Sequence, residues 1–194
     1  PARKTLQHGT SYREQGMKNL MTDQAQRQTQ LDMAREQIIF TRDNTNLVLS
    51  DISPDRWYEQ PVDGVNHVAW QVGHIAMAQY GLALLRQRGR QPLDRELMPK
   101  PFMRAFAKDS TPASSAEDAL PVADILDVFN RVHSQVLKEL ETYPLEQLGE
   151  EVEPPYVGQA TRLGALLMST HHEMLHAGQI GMMRRLLGLA PLVR

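Results

Sequence analysis

From Met17 to about Asp51 the positions Leu20, Leu31, Ile38, Thr45, Leu49 and Ile52 recur at intervals of three, four or seven, while Glu, Gln, Arg and Asp fill the other faces. That is the period of a helix with one buried stripe. The polar run 23–30, relieved by a single Ala, allows the helix two pieces. Pro54 ends it, because the residue before a proline is pushed out of the helical region, and Pro54 itself can open one short turn. After a turn at Pro61-Val62-Asp63-Gly64, a second helix is expected from about Asn66, as cap, to Arg88, with Gly89 just past its end. Its inward stripe reads His67, Trp70, His74, Ala78, Gly81 or Leu82, and Leu85. A third helix covers about Val122 to Thr142, with Ile125, Phe129, Val132, His133, Val136, Leu137 and Leu140 near one face. Pro144, Pro154 and Pro155 punctuate the link to a fourth, from about Ala160 to Leu187, which Gly188 and Pro191 stop. No strand pattern and no internal repeat appear. Residues 1–16 are polar and aperiodic, so the expected organisation is a flexible arm at 1–16 and one helical domain at 17–194.

Residues 89–120 hold four of the twelve prolines and a Ser/Thr-rich run, and a loop of that length inside a compact domain needs a reason. A helix of about 22 residues is about 33 Å long, and the extended chain of residues 89–120 can run that whole length. The second and third helices can then lie parallel, joined by a crossover. Four long amphipathic helices imply an all-α fold, a four-helix bundle whose core can house metal sites.

Composition narrows the chemistry. The 194 residues, 41% hydrophobic, suit one packed unit. A net charge of −2 and a pI near 6.4 argue against nucleic acid or an anionic membrane as principal partner. With no cysteine, any metal must be held by nitrogen and oxygen. No signal peptide is visible and no apolar run approaches the roughly 20 residues that span a bilayer, so a cytoplasmic location is expected.

Three of the seven histidines fall in His171-His172-Glu173-Met174-Leu175-His176, inside the fourth helix. His172 and His176, four apart, leave a helix on the same face and can reach one ion. Left unpaired, their buried nitrogens would cost about 1–3 kcal/mol each; a metal satisfies them together. A third ligand is needed. His8 lies in the arm. His67 and His74 are seven apart, about 10.5 Å along an axis, so at most one can join. His74 falls level with His176 if the second and fourth helices are antiparallel, and His133 also falls near mid-bundle; height leaves both open. A lone histidine on an apolar face is more commonly a hydrogen-bonded core residue, the reading preferred for His133 and His67.

The string His172-Glu173-Met174-Leu175-His176 also spells the zinc-protease signature, with Glu as general base. Nothing after His176 is His, Asp or Glu, so the third ligand of that class is missing. Half of a di-iron Glu-x-x-His site is present as well, without its partner motif.

The segments Gly64-Val65-Asn66-His67-Val68-Ala69-Trp70-Gln71-Val72-Gly73-His74-Ile75-Ala76 and His172-Glu173-Met174-Leu175-His176-Ala177-Gly178-Gln179-Ile180, then Arg184-Arg185-Leu186-Leu187-Gly188, resemble the DinB/YfiT-like superfamily of metal-binding four-helix bundles. The resemblance implies an up-down-down-up bundle with a long crossover between the second and third helices. It also implies a divalent ion, commonly zinc or nickel, on His74, His172 and His176. Relatives include thiol-dependent S-transferases and an isomerase using low-molecular-weight thiols. The implied activity is metal-dependent transferase or hydrolase chemistry on a small molecule, with a thiol or water activated on the ion. The alternative is a non-catalytic bundle or interaction module with a structural metal. Gln179 and Trp70 are candidate pocket residues, Arg184 a candidate for meeting an anionic substrate, and an exposed apolar helix face would suit a homodimer.

Overall fold

The computed structural model describes residues 5–192 apart from 114 and 154–157, with side chains from residue 20 onward. Pro1 to Lys4, Pro154 and Pro155 lie outside the described residues. Helix α1 runs unbroken over Thr5–Leu49, so it takes in residues 5–16, expected as an arm, and crosses the polar run 23–30 without a break. Leu20, expected on the buried stripe, is 71% exposed; burial on α1 begins at Leu31 among the described residues and continues through Ala34, Ile38, Thr41, Arg42, Thr45, Val48 and Leu49. A short 3-10 turn, Pro54–Arg56, follows.

Helix α2 spans Val68–Tyr80, runs into a π-helical segment Gly81–Leu85, and ends as α3, Arg86–Arg88. Its cap is His67 rather than Asn66: the His67 Nδ1 accepts the Trp70 backbone N–H at 3.0 Å. Gly89 closes this stretch at φ +71°, a left-handed conformation that glycine adopts without strain.

The expected loop 89–120 carries two short helices, α4 at Asp94–Leu97 and α5 at Lys100–Phe106. Pro101 sits in the first turn of α5, where its missing N–H costs nothing. Met98, Phe102 and Phe106 are buried, and α5 packs on α2. The approach is close at Gly73, where a Cβ would meet the Phe106 ring at 2.4 Å. Helix α6 covers Val122–Leu140. After a 3-10 turn at Leu145–Gly149, α7 spans Arg162–Leu186. Its cap Thr161 accepts the Gly164 N–H at 3.0 Å, and Gly188 ends it at φ +79°.

Contacts between helices fix their relative directions. Along α1 and α7 they climb together, Arg42 to Glu173, then Asn44 to Met174, then Val48 to Arg184, so these two run parallel. Between the α2 stretch and α7 the order reverses, Gln71 to His176 and Gln87 to Arg162. Between the α2 stretch and α6 it climbs again, Gln79 to His133 and Arg88 to Glu139. The crossover therefore returns the chain to run parallel with α2. The fold is all-helical among the described residues, apart from one isolated bridge between Glu151 and Thr161. No described helix is long and apolar enough to cross a membrane.

At the centre, Arg42 is 3% exposed and joins four elements. Its Nε donates to Glu173 of α7 at 2.8 Å, Nη1 to the Phe129 carbonyl of α6 at 2.9 Å, and Nη2 to Gln79 of α2 at 2.9 Å. Its guanidinium carbon lies 3.4 Å from the Phe129 ring centroid, a cation–π contact.

Candidate metal centre

Antiparallel packing brings His74 on α2 beside His172 and His176 on α7. The ring centroids stand 5.2 Å (His74 to His172), 5.0 Å (His74 to His176) and 4.6 Å (His172 to His176) apart. One nitrogen from each ring lies within 4.8 Å of the other two. Among the described residues no further His, Asp or Glu joins this group.

Neighbours orient two of the rings. The His74 Nδ1 is 2.8 Å from the Phe106 carbonyl oxygen. Because a carbonyl only accepts, His74 carries its proton on Nδ1 and keeps the Nε2 lone pair free. His176 Nδ1 makes a short hydrogen bond with Gln71 Oε1 and is set the same way. The Nδ1 of His172 is buried and has no hydrogen-bond partner among the described residues. Trp70, one turn before His74, stacks on its ring at 4.6 Å with 9° between planes.

Burial governs the protonation of all three. It pushes His172 down to about 4, with His74 adding to the shift. It pushes His176 down to about 3, with His172 and His74 adding and Gln179 opposing. His74 is lowered by burial against the opposing Phe106 bond. All three rings are thus neutral at pH 7, the form that ligates metals. Neutral donors, converging nitrogens and an orphaned buried nitrogen fit a divalent ion.

The other candidates separate cleanly. His133 lies 3.3 Å from Gln79 through Nδ1, in the Arg42 network and outside the group of three. His67 caps α2 and rests on Tyr58 at 4.8 Å. His171 is exposed, and the side chain of His8 lies outside the described residues. Glu173 is 2% exposed and bound by Arg42, so the protease general base is absent as a role. Arg184 does not stand at a site mouth: it is 1% exposed and clamps Asp51, the Val48 carbonyl and the Ala190 carbonyl. Gln179 is exposed.

Sequence reasoning missed Gln71 and the Phe106 carbonyl. Gln71 left a signal, a lone amide in the otherwise apolar run around Trp70 and Val72, on the helical face three residues before His74. A backbone carbonyl from a crossover helix leaves none.

The model of the DinB superfamily matches residues 37–180, which include all three histidines. The chain belongs to the DinB superfamily. Among solved structures it is similar to the crystal structure of the conserved protein of locus from Enterococcus faecalis, with a TM-score of 0.58 and 16% identity, over 81% of this chain and 96% of that one. At that identity the likeness speaks for the fold alone. No curated protein matches the chain.

Proposed function

We propose that this protein is a metal-dependent enzyme holding one divalent ion, zinc or nickel, on His74, His172 and His176, and that it activates a thiol or water for transfer to a small organic substrate. The observation that carries the reading is the convergence of three neutral imidazoles, two of them oriented by carbonyl oxygens behind them. A metal bound by three neutral nitrogens keeps its full charge and an open position, where it lowers the pKa of water or takes a thiol as thiolate. His74, His172 and His176 supply the nitrogens, Phe106 and Gln71 hold two rings in one tautomer, and Trp70 covers the His74 face. The sequence holds no cysteine, so a thiol arrives as a second small molecule. A purely structural metal calls for a closed set of four ligands, and His133, the candidate fourth, is committed to Gln79.

The wider architecture belongs to the same proposal: an up-down-down-up four-helix bundle of α1, the α2 stretch, α6 and α7. The parallel and antiparallel contacts above support it. Two copies pair through exposed apolar residues of α1 and α7: Met33, Phe40 and Leu47 recur at seven residues along α1, Leu175 and Met182 stand seven apart on α7, and all five are exposed. Sedimentation of a Phe40→Glu, Met182→Glu variant against the parent tests that pairing.

The test of function begins with metal analysis of protein purified without chelator or nickel resin. One ion per chain is expected, lost in His74→Ala, His172→Ala and His176→Ala and kept in His133→Ala. A cobalt-loaded sample should then show a sulfur charge-transfer band on titration with small thiols. A spectrum indifferent to every thiol and anion removes the enzyme reading.

A further inference from the structure

A cavity of about 920 Å³ lies on the crossover side of the α2 stretch, where Gly89 turns the chain and α4 and the start of α5 return beside Tyr80. That volume is in the range of small-molecule pockets. None of its lining residues belongs to the metal centre. The floor is apolar: Met98 and Tyr80, each 3% exposed, with Met103 beside them. The rim is cationic. Arg90, Arg95 and Lys100 line the cavity, are exposed, and make no ion pair or side-chain hydrogen bond among the described residues. Arginines elsewhere do find carboxylates: Arg56 takes Glu59, Arg131 takes Asp127 and Arg162 takes Glu150. The backbone is unusual at the same place. Directly after Tyr80 the helix widens into the π-helical segment, where the Arg86 N–H reaches back to the Gly81 carbonyl, and such segments are frequent at functional sites.

The one carboxylate in the wall does not serve the three cations. Asp94 is 4% exposed. Its Oδ1 accepts from Arg88 Nη2 at 2.8 Å, and its Oδ2 from Arg88 Nη1 at 3.1 Å and from the Gln91 backbone N–H at 2.8 Å. The Tyr80 hydroxyl adds a further bond. Arg88, which balances this carboxylate, stands outside the cavity, and so does Glu96 of α4. Three like charges around one apolar hollow repel one another, a local exception in a chain of net charge −2.

We propose that this cavity is a second binding site, for a small amphipathic anion: a carboxylate carried on an apolar chain or ring, with its head among Arg90, Arg95 and Lys100 and its body on Met98, Met103 and Tyr80. A cation would meet three like charges, and a bare inorganic anion would leave the apolar floor uncovered. The concave shape favours a small molecule over the flat face of a membrane or a protein. The site is independent of the metal reading.

Calorimetric titration of octanoate, acetate and octylammonium into the full chain, with and without an uncharged chelator, tests the proposal. Octanoate should bind saturably at one per chain and more weakly as sodium chloride rises from about 20 to about 300 mM. Acetate, which lacks the apolar body, should bind at least about tenfold more weakly, and octylammonium should show no saturable binding. Arg90→Gln, Arg95→Gln and Lys100→Gln combined should weaken octanoate at least about tenfold; all three side chains are exposed and unpaired, so the fold does not depend on them. A variant of the same net charge, Arg35→Gln, Lys138→Gln and Arg185→Gln combined, alters residues outside the cavity and should bind octanoate like the parent. No saturable binding, octylammonium binding as tightly as octanoate, or equal losses in the two triple variants overturns the proposal. Binding lost on chelation also overturns it by placing the carboxylate on the metal, while leaving the metal reading intact.

Discussion

Two residues decide how a single side chain matters here. Gln71 is 3% exposed and its only role at the site is to fix His176. Groups behind a ligating imidazole are typically worth 10- to 100-fold in metal affinity. Gln71→Ala should therefore weaken metal binding by about that factor in competition with a chromogenic chelator, with the metal-free fold retained by circular dichroism. Glu173 is the opposite case. The protease signature makes it essential to chemistry, whereas its pairing with Arg42, both side chains below 5% exposed, makes it essential to stability. Removing one partner of a buried pair costs about 3–5 kcal/mol. Glu173→Gln should lower the urea midpoint accordingly and leave metal affinity near the parent value; lost metal with an unchanged midpoint would contradict this. That Glu173 is no protease base was legible in the sequence, from the missing ligand after His176, but its pairing was not, because that depends on a residue 131 positions away.

At the scale of elements, α6, α7 and the part of α1 from Leu31 onward were legible because their apolar period persists over several turns, whereas residues 5–16 of α1 carry no such period and read as an arm. Helices α4 and α5 were not legible: at four and seven residues they are too short to show a period, and the prolines that read as loop breaks include Pro101 in a first helical turn. His67 escaped notice as a cap because the neighbouring Asn66 is a commoner capping type. The crossover is thereby part of the site, since α5 delivers the Phe106 carbonyl to His74. Gly73 lets it come close enough. Gly73→Ala would place a methyl 2.4 Å from the Phe106 ring, and overpacking of that kind costs about 1–3 kcal/mol. The expected outcome is a less stable protein that also binds metal more weakly, read by urea denaturation and chelator competition on the same preparation.

For the whole molecule, buried histidines set the acid limit. Burial pushes His133 down to about 3, with Arg42 adding to the shift, and His67 down to about 4. Their folded values lie below the ordinary value near 6.5, so as pH falls the unfolded chain takes up protons that the folded chain refuses. Stability from these residues is complete above about pH 6.5 and declines as pH drops towards 4. Urea midpoints of metal-free protein should be level from pH 8 to 6.5 and fall steadily below; a level midpoint down to pH 4.5 would show these rings charged in the folded state.

The junction at Arg42 also bears on how fast the molecule is made and lost. Its partners lie 37, 87 and 131 residues away along the chain, so the guanidinium cannot exchange water for protein until all four long helices have arrived. Such non-local contacts form late, after most loop-closure entropy has been spent. Arg42→Met should then leave the refolding rate almost untouched and place its whole effect on unfolding, which accelerates. Stopped-flow chevrons would show this as a raised unfolding limb over a coincident refolding limb. The Arg42 charge would then act as a latch, absent while the chain assembles and decisive for how long the assembled molecule lasts.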